Sequence, residues 1–182
     1  MSMGRIRRRA ALLLVLFTAG CETLGITKKD PPPPCPPVFI LKDAAALTRY
    51  APGSRRGITD GDFQAEIVDF RGSCEYDDER TQVDIALDVT FNVVRGPANR
   101  DRKAAFDYFI AIPHFHPAPQ GKKTLPMSVA FAGNDTRLRV TDQVTLRIPF
   151  DGKARLEEYT IWLGFQLTRE ELQENQRRST RP

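Results

Sequence analysis

The sequence predicts an all-β protein: an immunoglobulin-like antiparallel β-sandwich of about seven strands followed by a short C-terminal helix. Apolar and polar residues alternate with a period of two over most of the chain, which is typical of strands with one buried face. Turn residues separate these alternating segments at short intervals. The immunoglobulin Cys–Trp–Cys pattern is missing, so the fold class depends on strand number, and a small β-barrel is the alternative.

The clearest predicted strand runs from Val83 to Val93. Every second residue there is apolar, and mostly polar residues lie between them. This alternation predicts one buried face and one solvated face. The turn dipeptide Gly96-Pro97 ends the segment, because proline does not continue a central strand.

A second strand is predicted from Phe63 to Tyr76, joined to the first by the polar hairpin loop 77–80. Its apolar phase shifts between Ile67 and Val68, which predicts a β-bulge. Four further segments alternate in the same way: 106–112, 125–131, 144–150 and 159–167. The short apolar segment 38–41 completes the predicted sandwich.

Two helices are predicted. Thr168 is a suitable N-cap, and Glu171 follows three residues later, which forms a capping box for a helix from Arg169 to about Arg177. The stretch Asp43–Tyr50 is predicted as a second, shorter helix, because its apolar residues would share one helical face.

The N-terminal segment has the three parts of a secretory signal. Arginines at positions 5, 7, 8 and 9 precede the apolar run Ala10–Phe17, and Thr18-Ala19-Gly20 places small residues directly before Cys21. This arrangement resembles the lipobox of bacterial lipoproteins. The resemblance implies that Cys21 receives a diacylglycerol, that a peptidase cleaves before it, and that the new amino terminus is acylated. The alternative is an ordinary secretory signal in which Cys21 has no such role.

The same resemblance implies a location in the cell envelope, with a lipid anchor in the membrane and the domain in the periplasm. Glu22 follows the cysteine where an aspartate favours inner-membrane retention in enterobacterial lipoproteins, which implies the outer membrane rather than the inner. The chain has 27 Lys and Arg and 23 Asp and Glu. Because the signal contains four of the arginines and no acid, the processed chain is neutral. We therefore expect no nucleic-acid partner, since such binding depends on an excess of basic residues.

Three parts are predicted along the chain: a lipoprotein signal peptide (1–20), a lipidated cysteine with a proline-rich tether (21–37), and a single β-sandwich domain with its C-terminal helix (38–182). Proline-rich segments favour extended polyproline II structure and act as semi-rigid spacers. With Cys21 lipidated, Cys35 and Cys74 remain, and an even number of cysteines in an oxidising compartment predicts a disulfide. Two free thiols or a metal-binding pair are the alternatives.

His114 and His116 are the only histidines and are weak candidates for a metal site. On an extended chain their side chains point the same way, so both can bind one ion. Zinc sites use at least three protein ligands, and the sequence offers no evident third. The prolines around them favour a loop with solvated imidazoles, and we expect neither a metal nor another cofactor.

Trp162 is the candidate contact for a partner. Its neighbours Ile161 and Leu163 define the buried face of the last strand, so alternation directs Trp162 outward. An outward tryptophan beside Gly164 is suited to contact a protein or a sugar. The alternative is that a helix or loop of the same domain covers it, most naturally the C-terminal helix.

The sequence contains no recognisable catalytic constellation, since neither Ser73 nor Ser128 lies in a nucleophile motif. We therefore expect a non-catalytic envelope module that binds or supports another envelope protein. The alternatives are a small-ligand or metal-binding lipoprotein that uses His114 and His116, and a cell-wall hydrolase. The body is also similar to uncharacterised envelope lipoproteins, and this similarity implies no function. The motifs that carry it are Cys35-Pro36, Arg95-Gly96-Pro97 and 164–168.

Overall fold

The computed structural model describes residues 33–150 and 156–179. The predicted signal peptide, Cys21 and the tether up to Pro32 lie outside these ranges. Within them the chain folds as a β-sandwich with one α-helix, which confirms the predicted fold class. The elements are β1 (Val38–Ile40), β2 (Ala46–Tyr50), β3 (Gly61–Tyr76), β4 (Gln82–Arg95), β5 (Lys103–Ala111), β6 (Lys122–Ala130), β7 (Arg137–Pro149), β8 (Ile161–Phe165) and α1 (Arg169–Ser179).

The strands form two open, four-stranded sheets. Sheet I has the order β1-β8-β5-β6, and sheet II has the order β2-β3-β4-β7. Each sheet therefore has two edge strands in the described part of the chain, and the prediction of a closed barrel as the alternative is wrong. All the pairs are antiparallel except β1 with β8, which run parallel.

The predicted helix at Asp43–Tyr50 is wrong. A short 3-10 turn, Lys42–Ala44, leads directly into strand β2, which pairs with β3. Leu47 is 1% exposed, so it points into the sandwich. This pairing with a long neighbouring strand outweighs the helical preference of a short segment, because helices of this length are marginal without packing.

Sheet II is built around the long hairpin of β3 and β4. The predicted bulge is confirmed, because the pairing register shifts between Ile67 and Asp69. The polar loop between the two strands is held by Asp77, whose carboxylate accepts hydrogen bonds from the Thr81 hydroxyl and from the amides of Thr81 and Gln82. These bonds lower the pKa of Asp77.

The core lies between the sheets and is centred on aromatic rings. Phe91 of β4 packs against Phe106 and Tyr108 of β5 and against Phe165 of β8, with ring centroids 5.0–5.9 Å apart. Such tilted and edge-to-face contacts add to the stabilisation from burial. The alternation predicted for β4 is confirmed, because the six alternating apolar residues from Val83 to Val93 are at most 3% exposed.

Helix α1 packs against the turn Lys42–Ala44 and against β2. The predicted capping box is present: the Thr168 amide donates to Glu171 Oε2 (2.8 Å), and the Glu171 amide donates to Thr168 Oγ1 (3.2 Å). The side chain of Asn175 donates to the carbonyl oxygens of Asp43 and Ala46 at 3.0 and 2.8 Å. The helix is therefore fixed to the chain that enters β2.

Candidate functional site

A group of apolar side chains covers part of the outer face of sheet I. Phe39 of β1 lies beside Trp162 of β8, with ring centroids 5.4 Å apart, and Phe39 is 49% exposed. Leu41, directly after β1, is 39% exposed, and Phe109 of β5 is half-buried. We call these four residues the outer apolar cluster. Exposed apolar residues that lie together mark surfaces used for contacts more often than single ones do.

Trp162 is half-buried and lies opposite the core, whereas Ile161 and Leu163 are fully buried. The outward direction predicted for its side chain is therefore confirmed. Its aromatic neighbour is Phe39 of β1, which the parallel pairing places beside it. Part of the indole thus remains accessible on the outer face.

Gly164 lies beneath the outer apolar cluster and leaves room for the side chains of Phe109 and Ala44. A Cβ atom at this position would lie 2.8 Å from the Phe109 ring and 2.9 Å from the Cβ of Ala44, so a larger side chain would displace both. On its other side, Phe109 has the Lys122 ammonium 4.5 Å from its ring centroid. Lys122 also donates to Gln166 Oε1 at 2.7 Å. Gly164 and Lys122 thus both lie against the ring of Phe109.

The predicted disulfide between Cys35 and Cys74 is present. It joins the chain just before β1 to the last part of β3, and the Tyr76 hydroxyl adds a hydrogen bond to the carbonyl oxygen of Pro34 (2.9 Å). The end of the predicted tether is thereby fastened to sheet II, while the next residues pair with sheet I.

The two histidines lie in the loop between β5 and β6. His114 packs against the rings of Phe115 and Tyr159, and its Nδ1 atom is 3.8 Å from Glu158 Oε2. His116 precedes the cis peptide bond to Pro117. In the described residues, no group of three or more His, Cys, Asp and Glu side chains is arranged to hold a metal ion.

A polar cleft of about 310 Å³ lies between helix α1 and the chain that follows β2. Its charged groups are largely paired with each other: Arg49 lies 2.8 Å from Glu171, and Arg178 lies 3.1 Å from Glu174. The first pair connects β2 to α1, and the second lies within α1, near its C-terminal end. The cleft is therefore explained by the packing of α1.

Asp142 of β7 directs its side chain toward the inside of the sandwich. Asp142 accepts a hydrogen bond of 2.7 Å from the Tyr108 hydroxyl, which is fully buried in sheet I. Burial, and then the hydrogen bond to Asp142, raise the pKa of Tyr108 far above its ordinary value. The phenol therefore stays protonated and keeps donating to Asp142.

The motif Arg95-Gly96-Pro97 has a structural role. A Cβ at Gly96 would overlap the carbonyl oxygen of Gly61, so this turn can approach the start of β3 only with glycine at position 96. The buried side chain of Asn99 then donates to Asp62 Oδ1 and to the Lys103 carbonyl oxygen, at 2.9 and 2.8 Å. The motif Arg95-Gly96-Pro97 therefore helps to close the loop between β4 and β5.

Comparisons of the chain with known protein families, with curated proteins and with solved structures found no match. Among the described residues, no helix combines the length and the apolar composition needed to cross a membrane.

Sequence reasoning missed the partners of the residues that it singled out. Phe39 was not recognised as the neighbour of Trp162, because the parallel pairing of β1 with β8 leaves no short-range signal. The link from Tyr108 to Asp142 was also missed, although a signal exists: Asp142 lies in the apolar phase of its strand, between Val140 and Val144. A charged residue in that phase indicates a buried partner or a specialised edge.

Proposed function

We propose that this protein is a lipid-anchored, non-catalytic module of the cell envelope that binds another envelope protein through the outer apolar cluster. The observation that supports this proposal is the exposure of Phe39 and Leu41 beside Trp162 on one face of a rigid sandwich. Tryptophan and other aromatic residues contribute much of the binding energy at protein interfaces.

The position of the cluster along the chain supports the proposal further. Phe39 follows the disulfide-bonded Cys35 by four residues, so the cluster lies where the chain from Cys21 enters the sandwich. With Cys21 lipidated in the outer membrane and 21–37 as its tether, the domain in the periplasm presents this face within reach of other anchored proteins. Lys122 and Gln166 give the cluster a polar rim, which is typical of protein interfaces.

The test is crosslinking in cells, followed by purification through a tag and mass spectrometry. Four full-length proteins are compared: the wild type, Cys21→Ala, Trp162→Ala and Gln64→Ala. Gln64 is exposed on the outer face of sheet II and serves as the matched control. We expect an envelope protein that is recovered with the wild type and with Gln64→Ala, and lost with Cys21→Ala and Trp162→Ala.

The outcomes separate the two parts of the proposal. Retention of the partner by Trp162→Ala would assign the contact to another surface. Retention by Cys21→Ala, together with a processed N-terminus that carries no lipid in mass spectrometry, would rule out the anchor. Recovery of no specific neighbour with any variant would contradict the proposed binding role.

A further inference from the structure

In the described part of the chain, strand β7 forms a free edge of sheet II, and this edge is a second surface to consider. Three of the four edge strands in the described sandwich are protected in ways that proteins commonly use. Strand β1 has only three residues, and β2 is covered by α1, whose Asn175 bonds to its first carbonyl oxygen. Strand β6 carries Pro126 near its centre.

The main-chain hydrogen bonds show which groups face the free edges. In sheet I, Ile112 donates to the Gly121 carbonyl oxygen and Phe131 donates to that of Arg102, both at 2.8 Å. Bonded positions alternate along an antiparallel ladder, so the even-numbered residues of β6 face away from β5. Pro126 is one of them, and it removes an N–H group from the middle of this edge.

Strand β7 differs from β6, because its free edge keeps its N–H groups over most of its length. The amide of Phe150 donates to the Thr81 carbonyl oxygen, and the amide of Arg95 donates to that of Thr136. The even-numbered residues of β7 therefore bond to β4, and the odd-numbered residues direct their N–H and C=O groups to the free edge. From 137 to 147 this edge contains no proline, and it offers six residues with both groups: Arg137, Arg139, Thr141, Gln143, Thr145 and Arg147.

The side chains along the edge define what kind of strand fits it. The odd positions point to the outer face of sheet II, where Arg137 and Arg139 are exposed. On the inner side, apolar residues of β6 and β7 are only half-buried, and no strand of the described ranges covers the space between the two edges. They are Leu125, Met127, Val129, Leu138 and Val140.

A cavity of about 270 Å³ continues this inner surface toward the end of β7. Its floor includes Ile110, Ile112 and Ile148, which are 2–3% exposed, and Lys123 lies at its rim. A strand added to β7 would direct every second side chain toward this apolar space. The intervening side chains would lie beside the two arginines.

We propose that β7 binds an extended segment of a partner protein as a fifth strand of sheet II, and that this segment alternates apolar residues with acidic ones. Main-chain hydrogen bonds give such strand addition its affinity, and the alternating side chains give it specificity. The apolar residues cover the half-buried inner surface, and the acidic residues pair with Arg137 and Arg139. This proposal goes beyond the one above, because it uses a different surface and does not depend on the lipid anchor.

The test uses a fluorescent, end-capped peptide of about nine residues in which valine and threonine alternate with glutamate. Its binding to the purified full-length protein in detergent is measured by fluorescence anisotropy. A peptide with lysine in place of glutamate, and a peptide of the same composition without alternation, serve as controls. We expect the alternating acidic peptide to bind at least about tenfold more tightly than either control.

One pair of variants separates main-chain from side-chain effects. Gln143→Pro removes a free-edge N–H group, whereas Gln143→Thr keeps it and changes only the side chain. We expect Gln143→Pro to weaken binding about tenfold and Gln143→Thr to change it less than about twofold. Equal binding by a folded Gln143→Pro protein, judged by its thermal midpoint, would overturn the proposal.

A second approach does not depend on the stability of the proline variant. Amide hydrogen exchange of the wild type should show new protection at Arg139, Thr141, Gln143 and Thr145 when the peptide is added, with little change at the even-numbered residues. Double reversal of Arg137 and Arg139 to Glu should shift preference toward the lysine peptide. Peptide-dependent protection elsewhere, or a dimer that forms through β7 and excludes the peptide, would overturn the assignment to an acidic partner strand.

Discussion

The two sides of the sandwich differ in how tightly they are closed. On one side, α1 and its Asn175 fix β2, and the disulfide from Cys35 to Cys74 joins the chain before β1 to sheet II. On the other side, β6 and β7 lie at neighbouring edges of opposite sheets, and the hydrogen bond from Tyr108 to Asp142 connects the sheets there. The closed side is fastened by a covalent bond and by hydrogen bonds from α1, whereas on the open side β7 has a free main-chain edge in the described part of the chain.

The largest expected effect comes from the closed side. The disulfide spans 39 residues, and the double variant Cys35→Ala, Cys74→Ala should lose up to about 4 kcal/mol of unfolding free energy, because the unfolded chain gains freedom. Urea unfolding measures this loss. Cys21→Ala is the control, since it replaces a cysteine outside the described sandwich and should leave the stability unchanged. A double variant as stable as the control would show that packing alone closes this side.

A smaller effect is expected on the open side. Tyr108→Phe removes the hydroxyl that donates to Asp142 and leaves a half-buried carboxylate without this donor, which should cost about 1–3 kcal/mol. Thermal unfolding of the variant, compared with Asp142→Asn, measures the cost. Asp142→Asn should destabilise less, because its amide oxygen still accepts from Tyr108. If both variants match the wild type, the open side is held by apolar contacts only.

The third prediction concerns the helix that protects β2. Thr168→Ala removes the hydroxyl that caps α1 and should reduce stability by about 1 kcal/mol, whereas Thr168→Ser keeps it. Hydrogen exchange at β2 should then accelerate in Thr168→Ala and not in Thr168→Ser. Unchanged exchange at β2 would mean that the helix does not depend on its cap for covering this edge.

The smallest expected effect is a loss of folding stability at acid pH. The bidentate bond from Arg147 lowers the pKa of Asp84 below its ordinary value of 3.8, and hydrogen bonds lower that of Asp77. A lowered pKa means that the folded state favours the ionised form. The stability that these ionised carboxylates add is fully present at pH values above their ordinary pKa. It is lost as the pH falls through the lower pKa of the folded state. Unfolding titrations between neutral and strongly acid pH should show a shallower loss for Asp84→Asn than for the wild type.

The sequence predicts secondary-structure elements better than it predicts which distant elements contact each other. The alternation in β4 and the capping box at Thr168 depend on residues close in the chain, so both were predictable. The segment Asp43–Tyr50 was predicted wrongly, since its strand exists through pairing with β3. Likewise, the outward direction of Trp162 followed from alternation, whereas its contact with Phe39 depends on a parallel pairing of segments more than a hundred residues apart.

The disulfide also determines how force would travel through the molecule. A pull on the chain upstream of Cys35 passes through the covalent bond into β3, the longest strand, before it reaches the three-residue β1. The load is then shared along the extended ladder between β3 and β4 and does not peel β1 from β8 one bond at a time. The outer face around Phe39 and Trp162 would keep its shape under tension that would otherwise separate the two strands that carry it.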